Sequence, residues 1–184
     1  MANQLSALQQ RKFTRFFNLL DIGVKGYLCE EDIFEISLRT GRKTATANVE
    51  QKTAYLVQFA DKLWRMITKY GISGDPDKVY LLDWLLYHQV VIGNKKLREE
   101  MISTLYLGIF EMFKNQNTGN LTENGFVEWI VALGVEADLA SWTFKKLDAK
   151  NNGYLSKEDF ISRVWEFYDG TDINLPGNYL MGPF

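Results

Sequence analysis

Between Leu5 and Leu20 the apolar residues Leu5, Leu8, Phe13, Phe16, Phe17 and Leu20 recur at short helical steps, so that most of them share one face of a helix. A glycine-containing turn, "DIGVKGY", follows, and "EEDIFEISLR" resumes helical spacing. The same order of helix, short turn and helix returns three times. Tyr55, Leu56, Phe59, Leu63, Trp64 and Ile67 mark a long helix from about Thr46 to Tyr70, which breaks at "GISGDPD" before "LLDWLLYHQVV". "REEMISTLYLGIFEMF" leads through "KNQNTGN" into "ENGFVEWIVAL", and "EADLASWTFKKL" leads through "DAKNNGY" into "KEDFISRVWEFY". The pattern predicts an all-α chain of four helix-loop-helix units without strand-rich segments.

Aligning the four turns exposes a second register. An aliphatic residue stands two places beyond each turn glycine or acid, at Leu28, Val79, Leu121 and Leu155, and a large apolar residue follows five places later, at Ile33, Trp84, Phe126 and Phe160. In EF-hand units the first of these positions pairs two loops through a short antiparallel ladder, and the second seats the exit helix on a shared core. The expected architecture is therefore two packed lobes, residues 1–92 and 93–184, each an EF-hand-like pair with a short loop-loop ladder, forming one compact unit.

A calcium loop supplies oxygens from its first, third, fifth, seventh, ninth and twelfth positions, with glycine at the sixth. Loop one, Asp21 to Asp32, keeps acids only at its ends, with Gly23, Lys25 and Cys29 in other ligand positions. Loop two offers Ile72, Gly74 and Pro76 where oxygens are needed, leaving Asp83; a shifted register could recruit Asp75 and Asp77. Loop three runs from Lys114 to Gly125 and lacks both terminal carboxylates despite Gln116, Thr118 and Thr122.

Loop four retains the most complete set: Asp148, Asn152, the Tyr154 carbonyl, Ser156 and Asp159, with Gly153 at the turn. It is the candidate for calcium or magnesium. Lys150 stands at its third position, where an ammonium donates and cannot ligate; it either repels a cation or swings its charge into solvent. Asp159, one methylene shorter than glutamate, favours magnesium or weaker calcium binding. The alternative is that "NNGY" persists as a stable turn without metal. With Lys25, Lys114 and Lys150 lowering local negative charge, the loops are expected to hold the fold closed in the absence of metal.

Composition narrows the function classes. Hydrophobic residues make up 46% of the 184 residues and aromatic ones 14%, enough for an aromatic-rich core that could also line a pocket for an apolar molecule. A net charge of -2 gives no basic field for nucleic acid. The single cysteine, Cys29, excludes an internal disulfide framework, the start shows no secretory h-region, and no apolar run reaches the roughly 18 residues of a membrane span. A cytoplasmic location is expected. His88, on the exit helix of unit two, and Cys29 belong to no visible catalytic constellation, and Trp64, Trp84, Trp129, Trp142 and Trp165 fall at core spacing.

The opening "RKFTRFFNLLD", the long second entering helix with Trp64 and the ending "DINLPGNYLMGPF" resemble invertebrate sarcoplasmic calcium-binding proteins and calexcitins over nearly the full length. An insect branch with a similar "PGN" tail includes proteins described as juvenile hormone diol kinases. The resemblance implies a two-lobed helical fold with a tail folded over its core, although relatives usually keep two or three intact metal loops. It also raises a phosphotransferase reading with ATP or GTP and magnesium. The nearest approach to a phosphate loop, "SLRTGRKTAT", lacks the first glycine and follows a helix rather than a strand. Arg39, Arg42 and Lys43 there read as a solvated basic linker, or as cations able to meet phosphate without such a loop. Three functions stand: an EF-hand protein holding at most one divalent cation in loop four, a metal-independent binder of an apolar molecule, and a small-molecule kinase.

Overall fold

The structure, a computed structural model, describes residues 4–43, 49–70 and 73–184. Helix α1 spans Ala7–Leu20; Ser6 caps it in a reciprocal box, its hydroxyl accepting from the Gln9 backbone while the Gln9 side chain accepts from the Ser6 N–H. Strand β1 (Tyr27–Leu28) leads into α2 (Glu30–Lys43), whose first turn carries Glu30, Glu31 and Asp32 against the positive end of the helix dipole. Helix α3 (Val49–Lys69), β2 (Val79–Tyr80) and α4 (Leu81–Gly93) complete the N-terminal lobe. The expected start of the long helix at Thr46 and the loop-two residue Ile72 lie outside the described residues.

In the C-terminal lobe, α5 (Lys95–Met101) passes through a π-helical turn (Ile102–Tyr106) into α6 (Leu107–Phe113). The sequence pattern gives one continuous α-helix here. The wider turn advances the phase of the helix and places Leu105 and Tyr106 toward the space between the lobes. Strand β3 (Leu121–Thr122), α7 (Glu123–Ala132), α8 (Ala137–Leu147), β4 (Tyr154–Leu155) and α9 (Lys157–Asp169) follow. Thr122 and Ser156 close the third and fourth loops and cap α7 and α9 with their hydroxyls.

The ladders form as the register requires: Leu28 faces Val79 and Tyr27 faces Tyr80, while Leu121 faces Leu155 and Thr122 faces Tyr154. Leu28, Val79, Leu121 and Leu155 are buried, as are Ile33, Trp84, Phe126 and Phe160. Phe13, Phe16 and Phe17 of α1 pack with Trp84 of α4 and with Phe167 and Tyr168 of α9, joining the lobes through aromatic contact. Trp84 also donates to the Phe13 carbonyl at 2.9 Å. Two tryptophans depart from the core expectation. Trp142 is 40% exposed and meets Tyr179 edge-on, and Trp165 is half-buried beneath the Arg98 guanidinium.

Beyond α9 the tail turns back over α1 through a short 3-10 turn at Pro176–Tyr179. The fully buried Lys12 ammonium donates to the Gly170 carbonyl and Asn178 Oδ1, both at 3.0 Å, and to the Glu166 carbonyl at 3.3 Å. Gln9 donates to the Tyr168 carbonyl and Arg15 to the Met181 carbonyl. The glycine of "PGN" is sterically required, because a Cβ on Gly177 would collide with the Arg163 carbonyl of α9. Among the described residues no helix is long and apolar enough to cross a membrane.

Candidate functional site: two lysine-closed loops and an apolar interlobe cavity

Loop one contains its own cation. The buried Asp21 carboxylate accepts from the backbone N–H groups of Lys25 and Gly26, which fixes the turn. Lys25, at the fifth position, bends inward and places its ammonium 2.7 and 2.8 Å from the two carboxylate oxygens of Asp32, 2.7 Å from the Ile22 carbonyl and 3.5 Å from Asp21 Oδ1. Asp32 also accepts from the Cys29 N–H and thiol. Burial works against the Lys25 charge, yet its bond to Asp32 and the surrounding acids outweigh that cost and hold its pKa above the ordinary lysine value.

Loop four reaches the same end from a different position. The buried Asp148 carboxylate accepts from the Asn152 and Gly153 N–H groups, Asn152 Oδ1 accepts from the Tyr154 N–H, and Ser156 Oγ accepts from the Asp159 N–H. The Lys150 ammonium lies 2.7 and 3.0 Å from the two Asp159 oxygens. The lysine bond is the main reason the Asp159 carboxyl is held below its ordinary pKa. Instead of carrying its charge away, Lys150 turns back onto the carboxylate while its side chain stays 64% exposed.

Asp148, Asn152, Tyr154, Ser156 and Asp159 are thus gathered in one loop, with the twelfth-position carboxylate engaged by lysine and the Asn152 and Ser156 oxygens accepting from backbone. Among the described residues no group of three or more His, Cys, Asp and Glu is arranged to hold a metal ion.

The other two loops are fixed by hydrogen bonds to their own backbone. Asp83 in loop two accepts from the Ser73 and Tyr80 N–H groups, and Asp75 folds back on the Asp77 N–H. In loop three Asn115 Oδ1 accepts from the Asn117 and Thr118 N–H groups, and Lys114 pairs with Glu111 of α6. Gly125, where the bidentate acid would stand, packs its Cα against the Phe113 carbonyl so closely that any side chain would collide. In the basic stretch, Arg39 pairs with Glu35 on α2.

Between the lobes lies a cavity of about 60 Å³ lined almost wholly by apolar side chains, including Phe16, Ile36, Leu63, Tyr106, Trp129 and Met181. It draws on both lobes and on the tail. At its edge the Tyr106 and Tyr168 hydroxyls meet at 3.1 Å. One aromatic layer further in, His88 stacks face to face on Phe13, with centroids 4.1 Å apart and planes 4° from parallel, and lies edge-on to Trp84. Burial alone lowers its pKa to about 3, so the ring is neutral. Sequence reading assigned His88 only to a helix; its neighbours come from α1, α4 and α9, a convergence that periodicity does not encode.

No family model and no curated protein sequence matches the chain. Solved structures do. The coelenterazine-binding protein of Renilla muelleri, in a calcium-loaded apo form, superposes with TM-score 0.70 at 17% identity, over 97% of this chain and 100% of its own. Okadaic acid binding protein 2.1 gives 0.71 at 20% identity, over 98% of each chain. Calcium-loaded apo-aequorin from Aequorea victoria gives 0.67 at 13% identity, over 91% of this chain and 93% of its own. The chain has an EF-hand photoprotein-like fold. At these identities the likeness concerns architecture, and the loop chemistry of this EF-hand fold has to be read from its own residues.

Proposed function

We propose that this protein is a calcium-independent binder of a small apolar molecule, which it takes up between its two lobes. The observation that carries the reading is a cavity lined almost wholly by apolar groups from both lobes, in a fold whose first and fourth loops are already neutralised by Lys25 and Lys150. Proteins of this fold named for binding coelenterazine and okadaic acid support it. The closed volume is smaller than the roughly 150 Å³ engineered apolar cavity that admits benzene, so uptake requires a lining side chain to move. Met181, an unbranched thioether on the tail, is suited to that movement.

A second reading concerns loop four. Its donor set, Asp148, Asn152, the Tyr154 carbonyl, Ser156 and Asp159, fits one calcium or magnesium ion, and the exposed stem of Lys150 lets the ammonium leave. A cation there competes with an internal ion pair, so its binding is weak. Calorimetric titration tests both readings: an apolar probe such as 1-naphthol is expected to bind equally in EDTA and in calcium. A requirement for calcium would reject the first reading. Adding ATP or GTP with magnesium to a terpenoid alcohol in the presence of the protein tests the kinase alternative, and binding without phosphoryl transfer is the expected result.

A further inference from the structure

His88 is the one histidine of the sequence and is 1% exposed, yet neither ring nitrogen has a hydrogen-bond partner among the described residues. Burying an imidazole in this way costs free energy that a phenylalanine stacked on Phe13 would not. The neighbouring polar groups show the contrast: Trp84 Nε1 has the Phe13 carbonyl, and Tyr106 and Tyr168 have each other. The ring borders the wall of the cavity. Phe16, which lines it, stands with its ring centroid 6.4 Å from that of His88, and Tyr168, bonded to the lining Tyr106, is 5.8 Å away on another side. Phe16 thus faces both the apolar space and the imidazole.

Resting on the binding function proposed above, we infer that His88 is the polar anchor of the interlobe site and selects an apolar molecule bearing one neutral hydrogen-bonding group, such as a hydroxyl. The apolar body occupies the space lined by Phe16, Ile36 and Trp129 as Met181 moves aside, and the hydroxyl passes between Phe16 and Tyr168 to an imidazole nitrogen. A neutral imidazole both donates and accepts, so it satisfies an alcohol in either sense. A charged headgroup would be left without a counter-ion beside a ring that stays neutral. The Tyr106–Tyr168 hydroxyl pair lies at the same boundary and gives the incoming hydroxyl a second partner.

Benzene and phenol, which share a ring and differ by one hydroxyl, test the assignment in the whole chain. By ligand-observed NMR titration the wild type is expected to bind phenol at least as tightly as benzene, and His88→Phe to shift the ratio toward benzene by about tenfold, or about 1.4 kcal/mol. Because the chain has one histidine, 15N-histidine labelling reports on this ring alone, and its nitrogens are expected to shift with phenol and not with benzene. If benzene and phenol both bind but His88→Phe leaves their ratio unchanged and the histidine signals do not move, the inference is overturned with the binding function intact. If neither probe binds, the binding function fails as well. The histidine spectrum needs no variant, so it decides the matter even if His88→Phe fails to fold.

Discussion

The Lys25 ammonium sits 2.7 and 2.8 Å from the two carboxylate oxygens of Asp32, so the twelfth-position acid of loop one is bridged by a tethered cation. A covalently held ammonium costs no binding entropy for a free ion and cannot be removed by chelation. The Lys25 side chain is 27% exposed and that of Asp32 only 6%, so this pair is less screened than a surface bridge. Lys25→Met takes the cation from both loop acids and is expected to destabilise the fold by about 2 kcal/mol in urea denaturation. Lys25→Met with Asp32→Asn should recover part of that loss.

Chelation is expected to leave the protein nearly unchanged. The thermal midpoint by circular dichroism in EDTA should lie within about 3 °C of that in millimolar calcium, a shift equivalent to less than about 1 kcal/mol for a chain of this size. A shift several times larger would mean that a metal displaces lysine from a loop carboxylate.

Loop four is one substitution from a working set. Lys150→Asp removes the competing ammonium and restores an acid at the third position, and calorimetry should show calcium binding tightened by at least tenfold. Loop three should not respond in this way. Gly125→Glu supplies one of the two missing terminal acids, leaves Lys114 at the first position and drives its Cβ into the Phe113 carbonyl, so the expected result is a loss of stability by about 2 kcal/mol or more without calcium binding.

Stability should depend on pH in three ranges, one acid and two alkaline. The His88 pKa falls from 6.5 to about 3 on folding because of burial, so between these values the unfolded chain holds a proton that the folded one refuses. Folding stability then falls as pH drops, by up to about 1.4 kcal/mol per pH unit, and His88→Phe should flatten that slope. Lys12 is lowered by burial to about 8, against partial support from Asp169 and Glu166. Its penalty is relieved as pH rises from about 8 toward 10.5. Burial raises Tyr87, Tyr106 and Tyr168, so above pH 10 the unfolded chain ionises first and stability declines. Urea midpoints should therefore be higher near pH 9.5 than near pH 8, then fall.

The helices and loop registers were legible because they are periodic. Leu28, Val79, Leu121 and Leu155 could be assigned to ladders from spacing alone, and each is buried in one. The fate of the lysines was not, since a lysine stem reaches solvent or a nearby carboxylate with equal ease, and the choice depends on where Asp32 and Asp159 point. The π-helical turn at Ile102–Tyr106 was hidden because "REEMISTLYLGIFEMF" carries neither proline nor an early glycine to mark a defect. Trp142 fits the helical spacing of α8, but its side is met by Tyr179 from the tail, a partner 37 residues away that no local pattern names.

The acceptors of Lys12 at Gly170 and Asn178 lie 158 and 166 residues further along the chain. During synthesis this amine must remain hydrated until α9 and the tail have left the ribosome, so the first helix cannot settle permanently while the rest is being made. Consolidation of the first-made lobe is thereby deferred until α9 and the tail have been made, and a product truncated before α9 leaves Lys12 without these acceptors.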